Sequence, residues 1–306
     1  MKKQAIAVLA LLAGLAAVSL GLTALTFTPN ETADALAITA TTYPMYTAVL
    51  QVVGDTKGVS VSCLTAPTVG CVHEYQLSPS EMATLRDTDI LVMNGGGAEQ
   101  FLQQALAAVP SLTCIDTSVG IELLCAEHTH HHDHDHHGEN EHLWVSPTRY
   151  ARQVQTLRDR LCALDPSRAP QYTENAERYL SAINAIQQEW NTLTLPTDKA
   201  VLFHDSVAYA AEALGLTPLA TLPIGEDAGI ATGDLTAAAD AVKGQTVVLL
   251  FDGQYPPDTL SLDTYADRAI TVVWDTAVRP RDGVADRDTW LAAMHDNGER
   301  LKAVIR

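Results

Sequence analysis

The chain has 306 residues, is 47% hydrophobic and carries a formal net charge of −18, from 19 basic and 37 acidic residues. This length and composition predict a globular protein with one large or two ordinary domains, and we expect two. The negative charge repels nucleic acid and anionic lipid headgroups, so it argues against both as partners and favours cations. Acidity also serves plain solubility, so it supports a cation ligand without showing one.

Residues 1–35 are predicted to be a signal peptide or an N-terminal signal anchor. Lys2 and Lys3 precede an uncharged, mostly apolar run from Gln4 to Asn30, which is typical of an export signal. The run is long for a cleaved signal, and no cysteine follows it to take a lipid, so cleavage stays open. We expect the protein at the outer face of the cytoplasmic membrane or in the periplasm, tethered if the leader is retained.

Residues 36–165 are predicted to form an N-terminal α/β lobe, in which strands alternate with helices. The expected strands are 36–41, 59–65, 90–94 and 113–116, and the expected helices are 43–53, 78–87, 99–109 and 147–163. Ser78 with Glu81 three residues later is typical of a capped helix start. This alternation predicts a mainly parallel sheet.

Residues 166–196 are predicted to hold a long linking helix, because apolar residues recur at helical spacing from Gln171 to Trp190. Residues 197–306 are predicted to form a second α/β lobe with the same order of elements. Its expected strands are 200–203, 220–222, 246–252 and 270–274, and its expected helices are 206–214, 235–243, 258–266 and 289–304. A helix without a neighbouring strand is suited to connect two lobes.

A histidine-rich loop is predicted at 126–142. Eight of the 11 histidines lie there, among aspartates and glutamates: His128, His130, His131, His132, His134, His136, His137 and His142. Imidazoles beside carboxylates suit zinc, nickel or copper, so we expect weak metal binding by a solvated loop. A purification tag or a disordered linker is the alternative, although a tag is usually terminal and uninterrupted. Ordering such a loop costs conformational entropy, so a tight site is expected elsewhere.

The five cysteines are interpreted in the light of export. In an oxidising compartment Cys63 and Cys71 could close one short loop, and Cys114 and Cys125 another. Cys162 would then be left as a buried thiol. The alternative is that all the cysteines are free and buried. The spacings do not include a zinc-finger C-x-x-C pattern, so no cysteine is assigned to a metal.

Candidate ligands for a tight site lie at or near the ends of predicted strands. They are His73, His142, His204 and Asp275. In open α/β sheets ligands bind at the carboxyl edge of the strands, and imidazoles with one carboxylate make a four-coordinate zinc site. Taken alone, each histidine is more often a solvated side chain. Asp275 alone is more typical of a helix cap or a partner for Arg279.

Five stretches resemble a known family, in the family's order. They are Thr42–Tyr46 (TYPMY), His73–Ser80 (HEYQLSPS), Asp89–Glu99 (DILVMNGGGAE), His142–Pro147 (HLWVSP) and the pair His204-Asp205. On these residues the chain resembles the solute-binding proteins of zinc and manganese ABC transporters, the cluster A-I metal-binding family that includes high-affinity zinc-uptake proteins. The resemblance covers nearly everything after residue 36.

The resemblance implies an extracytoplasmic protein that captures Zn²⁺ and delivers it to an ABC permease. We expect a monomer, because no pattern in the sequence is typical of a dimer interface. The resemblance also implies two lobes joined by a rigid helix, with the metal in the cleft between them. Its ligands would be His73, His142 and His204, with Asp275 as the expected fourth. Glu74, Asp205 or water are the alternatives for that position, and Glu74 otherwise belongs to the layer around the site or to its mouth.

Three other functions are weighed against zinc capture. A manganese-binding member is the first, but the family's manganese proteins tend to carry a carboxylate where this chain has His204, and imidazole favours zinc. A metal-binding adhesin is the second. A zinc hydrolase is the third, since three histidines with an open position can activate water. The sequence has no H-E-x-x-H motif, so we expect no enzyme.

Overall fold

The computed structural model describes residues 35–65, 75–125, 139–222, 230–254, 262–281 and 286–305. The leader up to residue 34, His73, Glu74, Cys71 and the seven loop histidines before His142 lie outside these ranges. Residues 36–306 form one compact unit. Among the described helices, none combines the length and apolarity needed to cross a membrane.

The first sheet has four parallel strands in the order β2-β1-β3-β4. Its strands are β1 (Leu36–Ala40), β2 (Val59–Cys63), β3 (Ile90–Met93) and β4 (Thr113–Asp116). The helices among them are α1 (Tyr43–Val53), α2 (Pro79–Arg86) and α3 (Gln103–Ala108). The predicted cap of α2 is present, because Ser78 accepts from the Glu81 backbone and Glu81 accepts from the Ser78 backbone.

Two long helices follow, α4 (Pro147–Leu164) and α5 (Ala169–Asn191). Ser146 caps α4, with Pro147 in its first turn. The buried residues of α5 recur at the helical period, and they are Tyr172, Ala176, Tyr179, Leu180, Ile183, Ile186 and Trp190. The helix packs against α1, α4 and the last helix of the chain. Its role as a rigid connector between lobes stays a prediction.

The second sheet repeats the topology of the first, in the order β6-β5-β7-β8 and again with all pairs parallel. Its strands are β5 (Lys199–Phe203), β6 (Thr217–Leu222), β7 (Thr246–Asp252) and β8 (Arg268–Trp274). The remaining helices are α6 (Ala208–Ala213), α7 (Thr232–Val242) and α8 (Thr289–Ile305). The predicted two-lobe α/β fold with parallel sheets is therefore confirmed.

The structure corrects four predicted elements. Strand β6 begins at Thr217 and not at residue 220, because Pro218 lies on an edge strand, where proline does not interrupt the ladder. The helices predicted at 99–109 and 206–214 each begin with a 3-10 turn, Gln100–Leu102 and Asp205–Val207. The helix predicted at 258–266 is wrong in its described part, since Leu262–Thr264 is a 3-10 turn and Ala266 forms a bridge with Lys243.

The four described cysteines are free thiols, namely Cys63, Cys114, Cys125 and Cys162. Cys114 packs against an apolar cluster beside its sheet, whereas Cys125 is exposed, so the expected bridge between them is not formed. Burial raises the pKa of the Cys63 thiol to about 12. Its expected partner Cys71 lies outside the described residues.

Candidate metal centre

His204 occupies a strained backbone position at the carboxyl end of β5. Its φ is +94° and its ψ 142°, a combination that costs a residue with a side chain about 1 to 3 kcal/mol. The position is held because the His204 N–H donates to the carbonyl of Leu222, at the end of β6, at 3.0 Å. Such strain is concentrated at binding sites, so it marks this turn as a candidate.

His142 is buried, with 2% of its surface exposed, and it lies directly before the short helical turn Leu143–Val145. The preceding carbonyl, of Glu141, accepts from the side-chain amide of Asn94 at 2.9 Å. Two residues later, the indole N–H of Trp144 donates to the carbonyl of Thr276 at 2.8 Å. The histidine is thus fixed between loops that leave β3 and β8.

The structure brings His142, His204 and Asp205 together. One ligand atom from each lies within 4.8 Å of the others. The two imidazole rings meet edge to face, with centroids 5.6 Å apart and an interplanar angle of 88°. Two nitrogen ligands and a nearby carboxylate are suited to a borderline cation such as zinc.

Asp205 approaches both imidazoles from the Nδ1 side. Its Oδ1 lies 3.1 Å from Nδ1 of His204 and 3.9 Å from Nδ1 of His142. The backbone N–H of Ser206 donates to Nδ1 of His204 at 3.1 Å. An N–H only donates, so this nitrogen accepts, and a neutral His204 has no proton there for the carboxylate. Asp205 is therefore not an acceptor that orients His204, and its oxygen stays the alternative to Asp275 as a carboxylate ligand.

The buried carboxylate of Asp252 connects the ends of strands β5, β7 and β8. Asp252, at the end of β7, has no exposed surface. It accepts from the hydroxyl of Ser206 at 2.5 Å, from the N–H of Gln254 at 2.8 Å and from the hydroxyl of Thr276 at 3.3 Å. Since Ser206 follows Asp205, this network fixes the turn that carries two residues of the cluster.

Asp275 is not one of the residues grouped in this cluster. Its Oδ1 accepts from the N–H of Ala277 at 2.9 Å, and it lines a cavity of about 310 Å³ together with Gln254 and Arg279. Within the part of the chain that the structure describes, Asp275 does not belong to the group formed by His142 and His204. Its role as fourth ligand stays a prediction, as does that of His73.

The loop after β3 is held in place by the buried carboxylate of Glu99. Glu99 accepts from the hydroxyl of Thr41 at 2.7 Å and from the backbone N–H groups of Asn94 and Gly95 at 2.6 and 3.0 Å. Burial raises the pKa of Glu99 to about 7, against the effect of these hydrogen bonds. Because Asn94 holds the segment before His142, Glu99 supports the site indirectly.

Comparison with known proteins gives the chain's family. The family model ZnuA, described as zinc-uptake complex component A, periplasmic, matches residues 38–304. The chain belongs to this family. ZnuA-family membership agrees with the resemblance found in the sequence, and the family's description is of an extracytoplasmic component.

Two curated relatives differ in the metal of their names. The manganese-binding lipoprotein MntA of Halalkalibacterium halodurans is 26% identical over 176 residues, which are 56% of each chain. The zinc-binding lipoprotein AdcA of Streptococcus pneumoniae serotype 4 is 25% identical over 284 residues, 87% of this chain and 55% of that protein. The chain therefore spans little more than half the length of these relatives.

A solved structure shows the same fold. The Zn(II)-bound ZnuA-like domain of Streptococcus pneumoniae AdcA superimposes with a TM-score of 0.69 and 22% sequence identity, over 88% of this chain and 98% of that chain. Like this chain, it is a ZnuA-type fold, and the match extends through both α/β lobes.

Several features of the site had no signal in the sequence. The positive φ of His204, the Asp252 network and the buried amide of Asn140, which bonds to His142 and Asp205, all depend on contacts between distant segments. Asp205 was named from the sequence as an alternative ligand. In the sequence, only its position next to His204 indicated that Asp205 lies at this site.

Proposed function

We propose that this protein captures Zn²⁺ outside the cytoplasmic membrane and delivers it to an ABC permease for import. The observation that carries the proposal is the meeting of two imidazoles, from His142 and His204, in a chain of the ZnuA family. Both rings are largely removed from solvent, so a metal ion bound between them would be held in a partly dry, nitrogen-rich site.

The proposed ligands are the imidazoles of His73, His142 and His204 with the carboxylate of Asp275. His142 and His204 are supported by their mutual geometry. His73 and Asp275 rest on the sequence. Asp205, whose Oδ1 lies 3.1 Å from Nδ1 of His204, is the alternative to Asp275 as the carboxylate ligand.

Zinc is preferred to manganese because of the ligand type. Imidazole nitrogens suit zinc, whereas manganese favours carboxylate and carbonyl oxygens. Because one relative is named as a manganese-binding lipoprotein, manganese is the second candidate metal. Measured affinities for Zn²⁺ and Mn²⁺ under the same conditions decide between them.

The protein is proposed to act as a binding component and not as an enzyme. A ligand sphere completed by Asp275 leaves no open position for a water nucleophile, which a zinc hydrolase needs. We propose that it works as a monomer, either free in the periplasm or tethered by its leader. The histidines of residues 128–137 would then act as an accessory collector that raises the local zinc concentration.

Uptake in cells tests the function. In a strain that lacks the gene, the wild-type protein should restore growth at limiting zinc, and His204→Ala should not. His295→Ala is the matched control, because His295 is a surface residue paired with Glu189. Two results would contradict the proposal. One is that the wild-type protein restores growth only when manganese is added, and the other is that His204→Ala restores growth as well as the wild type.

A further inference from the structure

Asn140 is a buried amide whose polar atoms are all engaged. It has no exposed surface. Its Oδ1 accepts from the backbone N–H of His142 at 3.0 Å, and its Nδ2 donates to the carbonyl of Asp205 at 2.8 Å. Its own backbone is fixed as well, since its N–H donates to Leu124 at 2.8 Å and its carbonyl accepts from the hydroxyl of Tyr209 at 2.7 Å.

Two of these partners determine which way the amide points. The backbone N–H of His142 can only donate, and the carbonyl of Asp205 can only accept. The oxygen of the Asn140 amide must therefore face His142, and the nitrogen must face Asp205. This orientation follows from hydrogen bonding alone.

The amide oxygen also determines the state of the imidazole. Nδ1 of His142 lies 3.0 Å from Oδ1 of Asn140. Because that oxygen only accepts, Nδ1 must carry the proton that lies between them. A neutral imidazole has one N–H, so its lone pair is then on Nε2. That nitrogen lies 3.9 Å from the carboxylate of Glu141, in surroundings that attract a cation.

We propose that Asn140 is a positioning residue for metal capture, which holds His142 as its Nδ1–H tautomer so that Nε2 is ready to bind the ion. The inference rests on the proposed function, because it assumes that His142 is a ligand. The ring is oriented before the metal arrives, so binding needs no proton shift within the imidazole. Partners of this kind change metal affinity about 10- to 100-fold when they are removed.

The chain offers variants that separate the bonds of the amide oxygen to His142 from the bond of the amide nitrogen to Asp205. Asn140→Asp keeps an oxygen acceptor against Nδ1 of His142 but places a second oxygen opposite the carbonyl of Asp205. Asn140→Ala removes all three of these bonds. Asn175→Ala is the matched control, because the Asn175 amide also donates to backbone carbonyls, of Val52 and Val53 at 3.2 and 3.1 Å, and lies on α5, outside the loops that carry the histidines.

Nitrogen-15 NMR of the histidine rings in the metal-free protein reads the tautomer directly, with His142→Gln used to assign the signal. We expect the Nδ1–H form in the wild type, in Asn140→Asp and in Asn175→Ala, and its loss in Asn140→Ala. An Nε2–H tautomer in the wild type, or an unchanged tautomer in Asn140→Ala, would overturn the inference. This result does not depend on which metal the protein carries.

Competition of the same variants with a zinc chelator gives the effect on binding. We expect Asn140→Ala to bind Zn²⁺ about 10- to 100-fold more weakly and Asn140→Asp to stay within about threefold of the wild type. Equal losses in both would show that the bond to Asp205 is what matters and would overturn the inference. A wild type that holds no zinc would contradict the proposed function instead, while the tautomer result would still stand.

Discussion

The imidazoles of His142 and His204 meet edge to face, with ring centroids 5.6 Å apart, and each has an oxygen of a neighbouring residue against Nδ1. That oxygen belongs to Asn140 for His142, at 3.0 Å, and to Asp205 for His204, at 3.1 Å. For His142 this is the arrangement that metal sites commonly use, with the outer nitrogen bonded to oxygen and the inner one turned to the ion. Nδ1 of His204 instead accepts from the N–H of Ser206. The two loops place both imidazoles within reach of one ion.

Removing either imidazole should abolish tight zinc binding and leave the fold intact. We expect His142→Ala and His204→Ala to lower zinc affinity by at least about 100-fold, because each takes away a direct ligand while the two lobes keep their own cores. Chelator competition measures the affinity, and circular dichroism with thermal unfolding checks the fold. His295→Ala should change neither, and wild-type affinity in both site variants would remove these residues from the ligand set.

The backbone strain at His204 should be measurable as stability. With φ at +94°, glycine is the residue that this position tolerates without strain, so metal-free His204→Gly should be more stable than His204→Ala by about 1 kcal/mol. Urea unfolding of the two variants gives the difference. At Ala208, where φ is −61°, a change from alanine to glycine should instead destabilise the protein. If glycine were also less stable than alanine at position 204, His204 would be unstrained.

The fold could be predicted from the sequence because its signals are local. The alternation of strands with helices, the cap at Ser78 and the helical spacing from Gln171 to Trp190 each depend on neighbours in the chain. The edge position of Pro218 could not be seen, since it depends on which strand pairs with which. The same limit hid the Asp252 network.

The candidate site was predicted in part, for a similar reason. His142 and His204 were named from their places near predicted strand ends, and the structure brings them together. The grouping of Asp205, and not Asp275, with them, and the role of Asn140 beside the His142 ring, depend on how loops from different sheets pack. Such contacts between distant segments leave no periodic pattern in the sequence.

The two candidate carboxylates should respond differently to loss of charge. Asp205→Asn removes a charge near both rings but not a proposed ligand, so we expect zinc affinity to fall less than about tenfold. Asp275→Asn removes a proposed anionic ligand and should cost at least about 100-fold. Both are measured by chelator competition, with Asp159→Asn, a change at an exposed residue of α4, as the control for net charge. A larger loss of zinc affinity in Asp205→Asn than in Asp275→Asn would make Asp205 the ligand.

Glu99 should make stability depend on pH. Its pKa is raised by burial to about 7 in the folded chain, from an ordinary value of 4.5, so between these values the folded state holds the proton more tightly than the unfolded state. The resulting stability is complete below about pH 4.5 and is lost as pH rises through about 7. Urea unfolding of the metal-free protein measures this dependence.

Comparison with an uncharged variant isolates the contribution of Glu99. From pH 5 to pH 8 the free energy of unfolding of the wild type should fall relative to that of Glu99→Gln, by up to about 3 kcal/mol. Using the difference between the two proteins removes the contribution of other titrating groups, histidines included. Parallel curves across this range would show that the Glu99 pKa is not raised.

Zinc titration of the protein and of a version lacking residues 128–137 tests the central claim most directly. Competition with a chelator gives the affinity, and elemental analysis counts the bound ions. We expect one tightly bound zinc to survive in the version without the loop, because His142 and His204 lie outside the deleted segment. If tight binding disappeared with the loop, the site at His142 and His204 would not be the site of zinc capture.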